Sequence, residues 1–162
     1  MKKTTEKTNV MRLFDQKKIV YQTYCYADTD VISGIDVATV LNQDPRRVFK
    51  TLVTVGNSGN HFVFMIPVDK ELDLKKAAHC VGEKNISMIK SKELLALTGY
   101  IHGGCSPVGM KKPFRTVLDL SASNFDTIIF SAGKIGYQVE TSLDELKKII
   151  SFDLEELVIS QS

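Results

Sequence analysis

The sequence contains few cysteines and few histidines, and this scarcity argues against two kinds of site. Its three cysteines, Cys25, Cys80 and Cys105, are an odd number without a CxxC pair, which argues against a disulfide framework and against a zinc site. His79 directly precedes Cys80, but neighbouring side chains on a helix point about 100° apart. The two are therefore poorly placed to share a metal ion, and we expect neither a metal nor another cofactor.

Long apolar runs are also absent. No stretch approaches the roughly 18 consecutive apolar residues of a membrane-spanning helix, and no apolar segment of a secretory signal follows the polar residues 1–6. We therefore expect a cytoplasmic protein that does not enter a membrane. Its 162 residues, 43% hydrophobic and 25% charged, are typical of one soluble domain, which we predict to cover residues 1–162. The net charge of +2 excludes a strongly basic tail but permits a local basic surface.

Apolar periodicity and turn-forming residues predict alternating helices and strands. Five helices are predicted, the first behind Thr8 or Asn9 and the others at residues 35–41, 74–81, 91–97 and 143–150. Seven strands are predicted at residues 19–26, 49–55, 61–68, 86–89, 116–120, 127–131 and 137–141. Several neighbouring strands are joined by loops too short for a parallel crossover. We therefore predict the α+β class, with one domain, a mixed, largely antiparallel sheet and peripheral helices.

The most informative segment is the glycine-rich stretch 98–109, which contains four glycines and Pro107. Glycine lets the backbone adopt positive φ and approach a ligand closely. Such a loop can direct several N–H groups at an anionic oxygen or a carbonyl, as an oxyanion hole does. The alternative is a tight connection between two elements. The segment is neither a P-loop nor a dinucleotide-binding GxGxxG motif.

Polar side chains near apolar strands are the next candidates. Lys50 lies near the start of an apolar strand, so it either extends outward from an edge strand or is retained for a function. Ser131 and Lys134 flank a second glycine turn, residues 131–136, for which an ordinary polar hairpin is the alternative.

Positive charge is concentrated in two places. Lys111, Lys112 and Arg115 follow the glycine-rich loop, and such a cluster is suggestive of nucleic acid. Residues 1–18 carry six cations against two acidic residues, a net charge of +4. These six cations are Lys2, Lys3, Lys7, Arg12, Lys17 and Lys18. An ordinary solvated helix face is the alternative.

Cys105 and His102 have the residue types of a nucleophilic thiolate–imidazole pair. No local signature of a cysteine protease surrounds them. We therefore interpret Cys105 as a small residue that fills its loop.

Several motifs follow one another in a distinctive order and spacing. They are Val48-Phe-Lys-Thr-Leu52, Leu72-Asp-Leu-Lys-Lys76, Thr98-Gly-Tyr100, Gly103-Gly-x-Ser-Pro-x-Gly109, Lys111-Lys112 and Ser131-x-Gly-Lys-x-Gly136. In this arrangement the chain closely resembles the YbaK/EbsC family, which are free-standing Cys-tRNA(Pro) deacylases related to the editing domain of bacterial prolyl-tRNA synthetases. The resemblance covers about residues 8–152 and implies a mixed α+β fold whose sheet curls around the substrate pocket.

The resemblance implies trans-editing of Cys-tRNA(Pro), which forms when prolyl-tRNA synthetase attaches cysteine, and it leaves Cys-tRNA(Cys) open as a second substrate. A steric sieve separates such similar amino acids only about 10–200-fold, so a second editing site is required. In the family mechanism, the thiol of the bound cysteine attacks its own ester carbonyl and releases a cyclic thioester. The implied partners are mischarged tRNA and prolyl-tRNA synthetase, without cofactor or metal.

The resemblance also assigns catalytic residues. Lys50 matches a lysine expected to hold the terminal adenosine or its phosphate and to favour charge that develops on the ester. Gly103 and Gly104, with Ser106 and Pro107, match a glycine loop whose backbone contacts the aminoacyl group.

Three further matches concern the substrate pocket. Tyr26 corresponds to a pocket tyrosine, although a nearby length difference leaves Tyr24 as the alternative. Ser131 corresponds to a pocket serine. Gln138 stands where the family has an acidic residue, so this chain offers a hydrogen-bonding group there and no carboxylate. The match over residues 32–35 is too loose to assign a pocket residue.

Two other functions remain open. One is a deacylase of the same fold that removes alanine or another small amino acid, for example from Ala-tRNA(Pro). The other is a non-catalytic adaptor that binds tRNA or prolyl-tRNA synthetase through its basic loops. We expect the basic side chains near the two glycine turns to contact tRNA phosphates; they are Lys111, Lys112, Arg115 and Lys134.

Overall fold

The computed structural model describes residues 6–160, which contain five α-helices, one 3₁₀ helix and eight strands. The helices are α1 (Asn9–Gln16), α2 (Gly34–Val40), α3 (Leu74–Val81), α4 (Ser91–Thr98) and α5 (Leu143–Leu146), and the 3₁₀ helix is Leu120–Asn124. The strands are β1 (Gln22–Cys25), β2 (Phe49–Gly56), β3 (His61–Pro67), β4 (Ile86–Met88), β5 (Arg115–Asp119), β6 (Ile128–Ser131), β7 (Tyr137–Thr141) and β8 (Asp153–Glu155). Within these residues, no helix is long and apolar enough to cross a lipid bilayer.

The strands form two sheets. An antiparallel sheet has the strand order β1-β7-β6, and a five-stranded sheet has the order β4-β2-β3-β5-β8. In the larger sheet β2 pairs antiparallel with β3 and β4, whereas β5 pairs parallel with β3 and β8. A parallel bridge between Val48 and Ile129 joins the two sheets. The predicted α+β class with mixed, largely antiparallel pairing is confirmed, and the strands are divided between two sheets.

Side-chain caps determine where several helices begin. Thr8, Ser33, Asp73 and Ser142 each accept a backbone N–H from the first turn of α1, α2, α3 and α5 respectively, and all four are residue types that commonly cap helices. The end of α5 differs from the prediction, because the helix ends at residue 146 and the N–H groups of Lys148 and Ile149 then donate to the third preceding carbonyl. The short strand β8 has no counterpart in the prediction.

Both faces of the five-stranded sheet are buried. Along β3, Val63 and Met65 pack in the larger core with Phe14 of α1 and Phe130 of β6, whereas Phe64 packs on the opposite face with residues of α3. Alternate residues of a strand point to opposite faces, which explains why β3 is almost entirely apolar. Residues of both sheets contribute to the larger core, so the two sheets pack against each other.

Candidate active site

A cavity of about 330 Å³ lies where the two sheets meet. Lys50 of β2, Tyr26 after β1, Gly103 of the glycine-rich loop, Ser131 of β6 and Gln138 of β7 all line it. Each of these five residues is predicted from the sequence as a site residue, and the fold brings them together from distant parts of the chain. We take this cavity as the candidate active site.

The glycine-rich loop borders the cavity with Gly103 and Cys105. Gly103 has a φ of 90°, a left-handed value that favours glycine. Among residues 6–160, no acceptor pairs with the backbone N–H of Gly103 or with that of Cys105. These N–H groups are therefore available to donate to an oxygen of a bound ligand.

The next residues of the loop have structural tasks. The N–H of Gly104 donates to the carbonyl of Ile101 over 2.9 Å. A Cβ at Gly104 would lie 3.0 Å from the backbone nitrogen of Ile135, so this glycine lets the two glycine turns pack together. Ser106 is enclosed, and its Oγ accepts the N–H of Val108 over 3.3 Å. Neither Gly104 nor Ser106 lines the cavity, and contact of either one with a substrate stays a prediction.

Lys50 is a half-buried cation in an apolar strand. Its ammonium forms no ion pair in the part of the chain that the structure describes. Burial lowers the pKa of Lys50 below its ordinary value, and the charges of Glu71 and Asp69 partly oppose this shift. Thr51 also lines the cavity, and its enclosed Oγ1 has no hydrogen-bond partner among the described residues. A cation left unpaired beside a cavity suits an anionic or partly negative ligand group.

The structure distinguishes the two candidate tyrosines. Tyr26 is 5% exposed and lines the cavity, and its N–H donates to the carbonyl of Gly136 over 2.7 Å. The hydroxyl of Tyr24 donates instead to Glu140 over 2.5 Å, and its ring packs beside a small cluster that includes Val48. Of the two tyrosines, Tyr26 is the one at the cavity.

Cys105 lacks the properties of a catalytic nucleophile. Burial raises the pKa of its thiol to about 12, and a hydrogen bond with Thr98 opposes part of this shift. The thiolate is the reactive form of cysteine, so Cys105 is almost entirely protonated at neutral pH. Nor does any group of three or more potential metal ligands occur within residues 6–160.

Ser131 and Gln138 are register partners in the hairpin of β6 and β7. The Ser131 Oγ accepts the N–H of Gly133 over 3.1 Å, which supports the second glycine turn. Gln138 is 5% exposed, and its Oε1 accepts a hydrogen bond from Nε2 of Gln43 over 2.9 Å. No motif in the sequence points to Gln43, because this contact joins residues that are 95 positions apart.

Some predicted phosphate contacts lie at a second cavity. Lys112 and Arg115 line this cavity of about 450 Å³ together with Pro107. Arg115 lies 3.6 Å from the carboxylate of Asp153. Lys111 is exposed and lines neither cavity. The structure therefore separates these cations from the candidate active site, and their contact with tRNA stays a prediction.

Other predicted cations have acidic partners. Lys134 forms an ion pair with Glu6, and its hydrogen bond to that carboxylate raises the pKa of Lys134. Lys7 forms an ion pair with a carboxylate of α1. Lys2 and Lys3, also part of the predicted basic surface, lie outside the described residues.

The lining of the candidate active site includes a segment to which the sequence assigns no pocket residue. Ile32, Ser33 and Gly34 lie at the start of α2 and border the cavity. A Cβ at Gly34 would lie 2.4 Å from a methyl carbon of Val68, so glycine permits this close approach. Ser33 caps the start of α2 through a local contact. The position of this segment beside the cavity depends instead on the tertiary fold.

Comparison with known proteins agrees with the resemblance found in the sequence. The family model for the aminoacyl-tRNA editing domain matches residues 30–149, which include all the main lining residues except Tyr26. The chain belongs to this aminoacyl-tRNA editing family. The predicted relationship to YbaK/EbsC proteins is thereby confirmed.

Relatives of this editing-family chain include a free-standing protein and part of a synthetase. This chain is 44% identical over 161 residues to EbsC of Enterococcus faecalis, a proposed Cys-tRNA(Pro)/Cys-tRNA(Cys) deacylase. The match covers 99% of this chain and 98% of EbsC. It is 32% identical over 108 residues to a proline–tRNA ligase of Pelobacter propionicus. That match covers 67% of this chain and 19% of the ligase.

A solved structure shows the same fold. The crystal structure of a proposed trans-editing enzyme for prolyl-tRNA synthetase superposes with a TM-score of 0.81 at 21% sequence identity. The superposition covers 96% of this chain and 100% of that one. The fold of this chain is therefore one that another protein shares.

Proposed function

We propose that the protein is a trans-editing deacylase that removes cysteine from mischarged Cys-tRNA(Pro), with Cys-tRNA(Cys) as a second substrate. The observation that carries this proposal is the 44% identity with EbsC over nearly the whole of both chains. The cavity supports it, because about 330 Å³ suits a small aminoacyl group at the end of a nucleotide. In this proposal the reaction takes place in the cytoplasm, where tRNA is charged.

Substrate binding in this proposal depends on the lining residues. Lys50 holds the terminal adenosine or its phosphate and favours negative charge that develops on the ester. Its lack of an ion-pair partner among the described residues leaves this charge for the substrate. The N–H of Gly103 donates to the ester carbonyl, and Tyr26, Ser131 and Gln138 contact the aminoacyl group. Other residues of the glycine-rich loop hold its backbone in place.

The nucleophile in this proposal is the thiol of the substrate. Its sulfur attacks the ester carbonyl, so that a C–S bond forms while the C–O bond to the ribose breaks. The thiol loses a proton in this step, and the ribose oxygen gains one as it leaves. Water later hydrolyses the released cyclic thioester. The site contributes by holding the reacting groups together and by stabilising charge. The pKa of about 12 for the Cys105 thiol supports this assignment, because it disfavours a protein nucleophile.

The proposed partners are the acceptor end of mischarged tRNA and prolyl-tRNA synthetase. The similarity to a segment of proline–tRNA ligase supports an origin shared with synthetase editing. Lys111, Lys112 and Arg115 contact tRNA phosphates in this proposal, which makes binding dependent on salt.

Deacylation of a panel of charged tRNAs tests the proposed function. We expect cleavage of Cys-tRNA(Pro) at least about tenfold faster than that of Ala-tRNA(Pro) or Pro-tRNA(Pro), because a substrate without a thiol lacks the nucleophile. Faster cleavage of Ala-tRNA(Pro) would assign alanine editing instead. Binding of tRNA without cleavage of any member of the panel would identify a non-catalytic adaptor.

A further inference from the structure

Two side-chain amides meet beside the candidate active site. Nε2 of Gln43 donates to Oε1 of Gln138 over 2.9 Å. Gln138 lines the cavity, whereas Gln43 is half-buried and does not line it. Gln43 therefore touches a residue of the site without bordering the space that a substrate would occupy.

The backbone of Gln43 is fixed by the end of α2. Asn42 adopts the left-handed conformation with a φ of 55°, and its N–H donates to the carbonyl of Thr39 over 3.2 Å. The N–H of Gln43 donates to the carbonyl of Ala38 over 2.8 Å. These two bonds form a Schellman motif, a common and rigid helix end. The side chain of Gln43 thus starts from a well-defined position.

The contact determines which polar atom of Gln138 remains available. An amide accepts through its oxygen and donates through its nitrogen, and Gln43 occupies one of the two lone pairs on the oxygen of Gln138. Among residues 6–160, Nε2 of Gln138 has no hydrogen-bond partner, and it is not one of the fully enclosed polar atoms. Nε2 is therefore the atom of this amide that has no partner in the protein and keeps all its hydrogen-bonding capacity for a ligand in the cavity.

The opposite arrangement would change the chemistry of the site. If both amides were reversed, Gln43 would accept from Nε2 of Gln138, and the oxygen of Gln138 would be left for the ligand. Oε1 of Gln43 is enclosed and has no hydrogen-bond partner in the described part of the chain. Reversal would bring the nitrogen of Gln43 into this enclosed position, where an N–H group without an acceptor is less favourable than an under-satisfied carbonyl oxygen. The burial of this end of Gln43 therefore favours the orientation in which Gln43 donates to Gln138.

We propose that Gln43 is a positioning residue that orients the amide of Gln138 so that its N–H groups, and not its oxygen, meet the aminoacyl group. This inference rests on the proposed function. The α-ammonium of an aminoacyl ester only donates hydrogen bonds, whereas its ester oxygens only accept them. Gln138 in this orientation pairs with an ester oxygen and not with the ammonium. It acts on the group that gains negative charge during the reaction.

Substitutions at Gln43 separate the two orientations. Gln43→Lys supplies only donors and keeps the oxygen of Gln138 occupied, whereas Gln43→Glu supplies only acceptors and reverses the Gln138 amide. We expect kcat for Cys-tRNA(Pro) to be at least about tenfold lower in Gln43→Glu than in Gln43→Lys, with less than about a threefold difference in KM. Gln22 lies at an exposed position of β1, so Gln22→Glu adds the same charge elsewhere and serves as the matched control.

Several outcomes of these kinetics would overturn the inference. Equal losses of kcat in Gln43→Glu and Gln43→Lys would show that the hydrogen-bond direction is irrelevant. An unchanged kcat in both, with a lowered melting temperature, would reduce Gln43 to a structural role. A similar loss of kcat in Gln22→Glu would attribute the effect to charge alone.

Exchange of the side-chain amide protons provides a test that needs neither tRNA nor a variant that folds poorly. In nuclear magnetic resonance spectra of the wild-type protein, we expect the Nε2 protons of Gln43 to exchange with water more slowly than those of Gln138, because Gln43 is the donor of the pair. Slower exchange at Gln138 would overturn the assigned orientation. If the wild-type protein cleaves no member of the tRNA panel, the proposed function fails, while this order of exchange still decides the orientation.

Discussion

The hydroxyl of Tyr24 donates to a carboxylate oxygen of Glu140 over 2.5 Å, and neither of these residues lines the candidate active site. Glu140 also accepts hydrogen bonds from Arg47, over 2.6 Å, and from Thr127. The carboxylate thereby joins β1, β7 and the segments before β2 and β6. Tyr26, two residues further along, lines the cavity. One tyrosine thus supports the smaller sheet, and the other is available to a substrate.

The two tyrosines are expected to respond oppositely to loss of their hydroxyl groups. Tyr26→Phe should lower kcat/KM for Cys-tRNA(Pro) by about tenfold with little loss of stability, because in the proposed mechanism its hydroxyl contacts the aminoacyl group. Tyr24→Phe should lower the free energy of unfolding by about 1–2 kcal/mol, because Glu140 loses a hydrogen bond. Deacylation kinetics and urea unfolding of both variants measure the difference. The reverse pattern would place Tyr24 at the substrate.

Glu140 should make stability depend on pH. Burial raises its pKa, but hydrogen bonds from Thr127 and Tyr24 and the charge of Arg47 outweigh burial and hold the pKa below its ordinary value of 4.5. A carboxylate with a depressed folded pKa adds stability above its unfolded pKa and loses it as pH falls through the folded pKa. Glu140→Gln should therefore lower the free energy of unfolding by about 2 kcal/mol at neutral pH. Urea unfolding should show this difference shrinking as pH falls below 4.5, the ordinary pKa, and a difference independent of pH would contradict the account.

Lys50 is expected to lower stability while it supports activity. Because burial lowers its pKa, its charged form is disfavoured in the folded state. This penalty applies below the folded pKa and disappears as pH rises from that value towards 10.5, the ordinary one. Lys50→Met should raise the free energy of unfolding by about 0.5–1 kcal/mol at neutral pH. The same variant and Lys50→Ala should lower deacylation about 10²-fold.

Urea unfolding and single-turnover deacylation test both expectations for Lys50. Turnover close to wild type in a folded Lys50→Ala protein would remove Lys50 from the mechanism. A less stable Lys50→Met variant would show instead that attraction to Asp69 and Glu71 exceeds the penalty of burial.

Salt dependence tests the proposed phosphate contacts. The logarithm of tRNA affinity should fall linearly with the logarithm of salt concentration, and replacing Lys111 and Lys112 together with Ala should reduce the slope by about 1–2. Lys75 and Lys84 are exposed and line neither of the two cavities described above, so their double Ala variant is the control. Equal slopes for wild type and the Lys111/Lys112 variant would assign these residues to an ordinary solvated surface.

Local features of the fold could be predicted because they depend on neighbouring residues. Thr8 caps α1 as expected, and α3 begins at the cap Asp73 and ends at Gly82 in the left-handed conformation, residue types that are common at those positions. The strand β8 could not be predicted, because its three residues pair only with β5 and carry no apolar alternation. The division into two sheets likewise depends on contacts between distant strands.

The candidate site could be predicted where motifs carry it. Lys50 and Gly103 belong to recognisable motifs, and the fold places both at the cavity. The contact of Gln43 with Gln138 could not be predicted, because neither residue type nor spacing distinguishes it from an ordinary polar pair. The same applies to the ion pair that occupies Lys134, whose partner is 128 positions away.

The most direct test of the account asks whether the substrate supplies the nucleophile. Single-turnover deacylation should be measured for the Cys105→Ala variant with Cys-tRNA(Pro), and for the wild-type protein with tRNA(Pro) carrying serine in place of cysteine. We expect the variant to remain within about threefold of wild type, and the seryl ester to react at least about 10²-fold more slowly, because a hydroxyl with a much higher pKa is a poor nucleophile without an activating base. Loss of activity in Cys105→Ala, together with equally fast cleavage of the seryl and cysteinyl esters, would contradict the account.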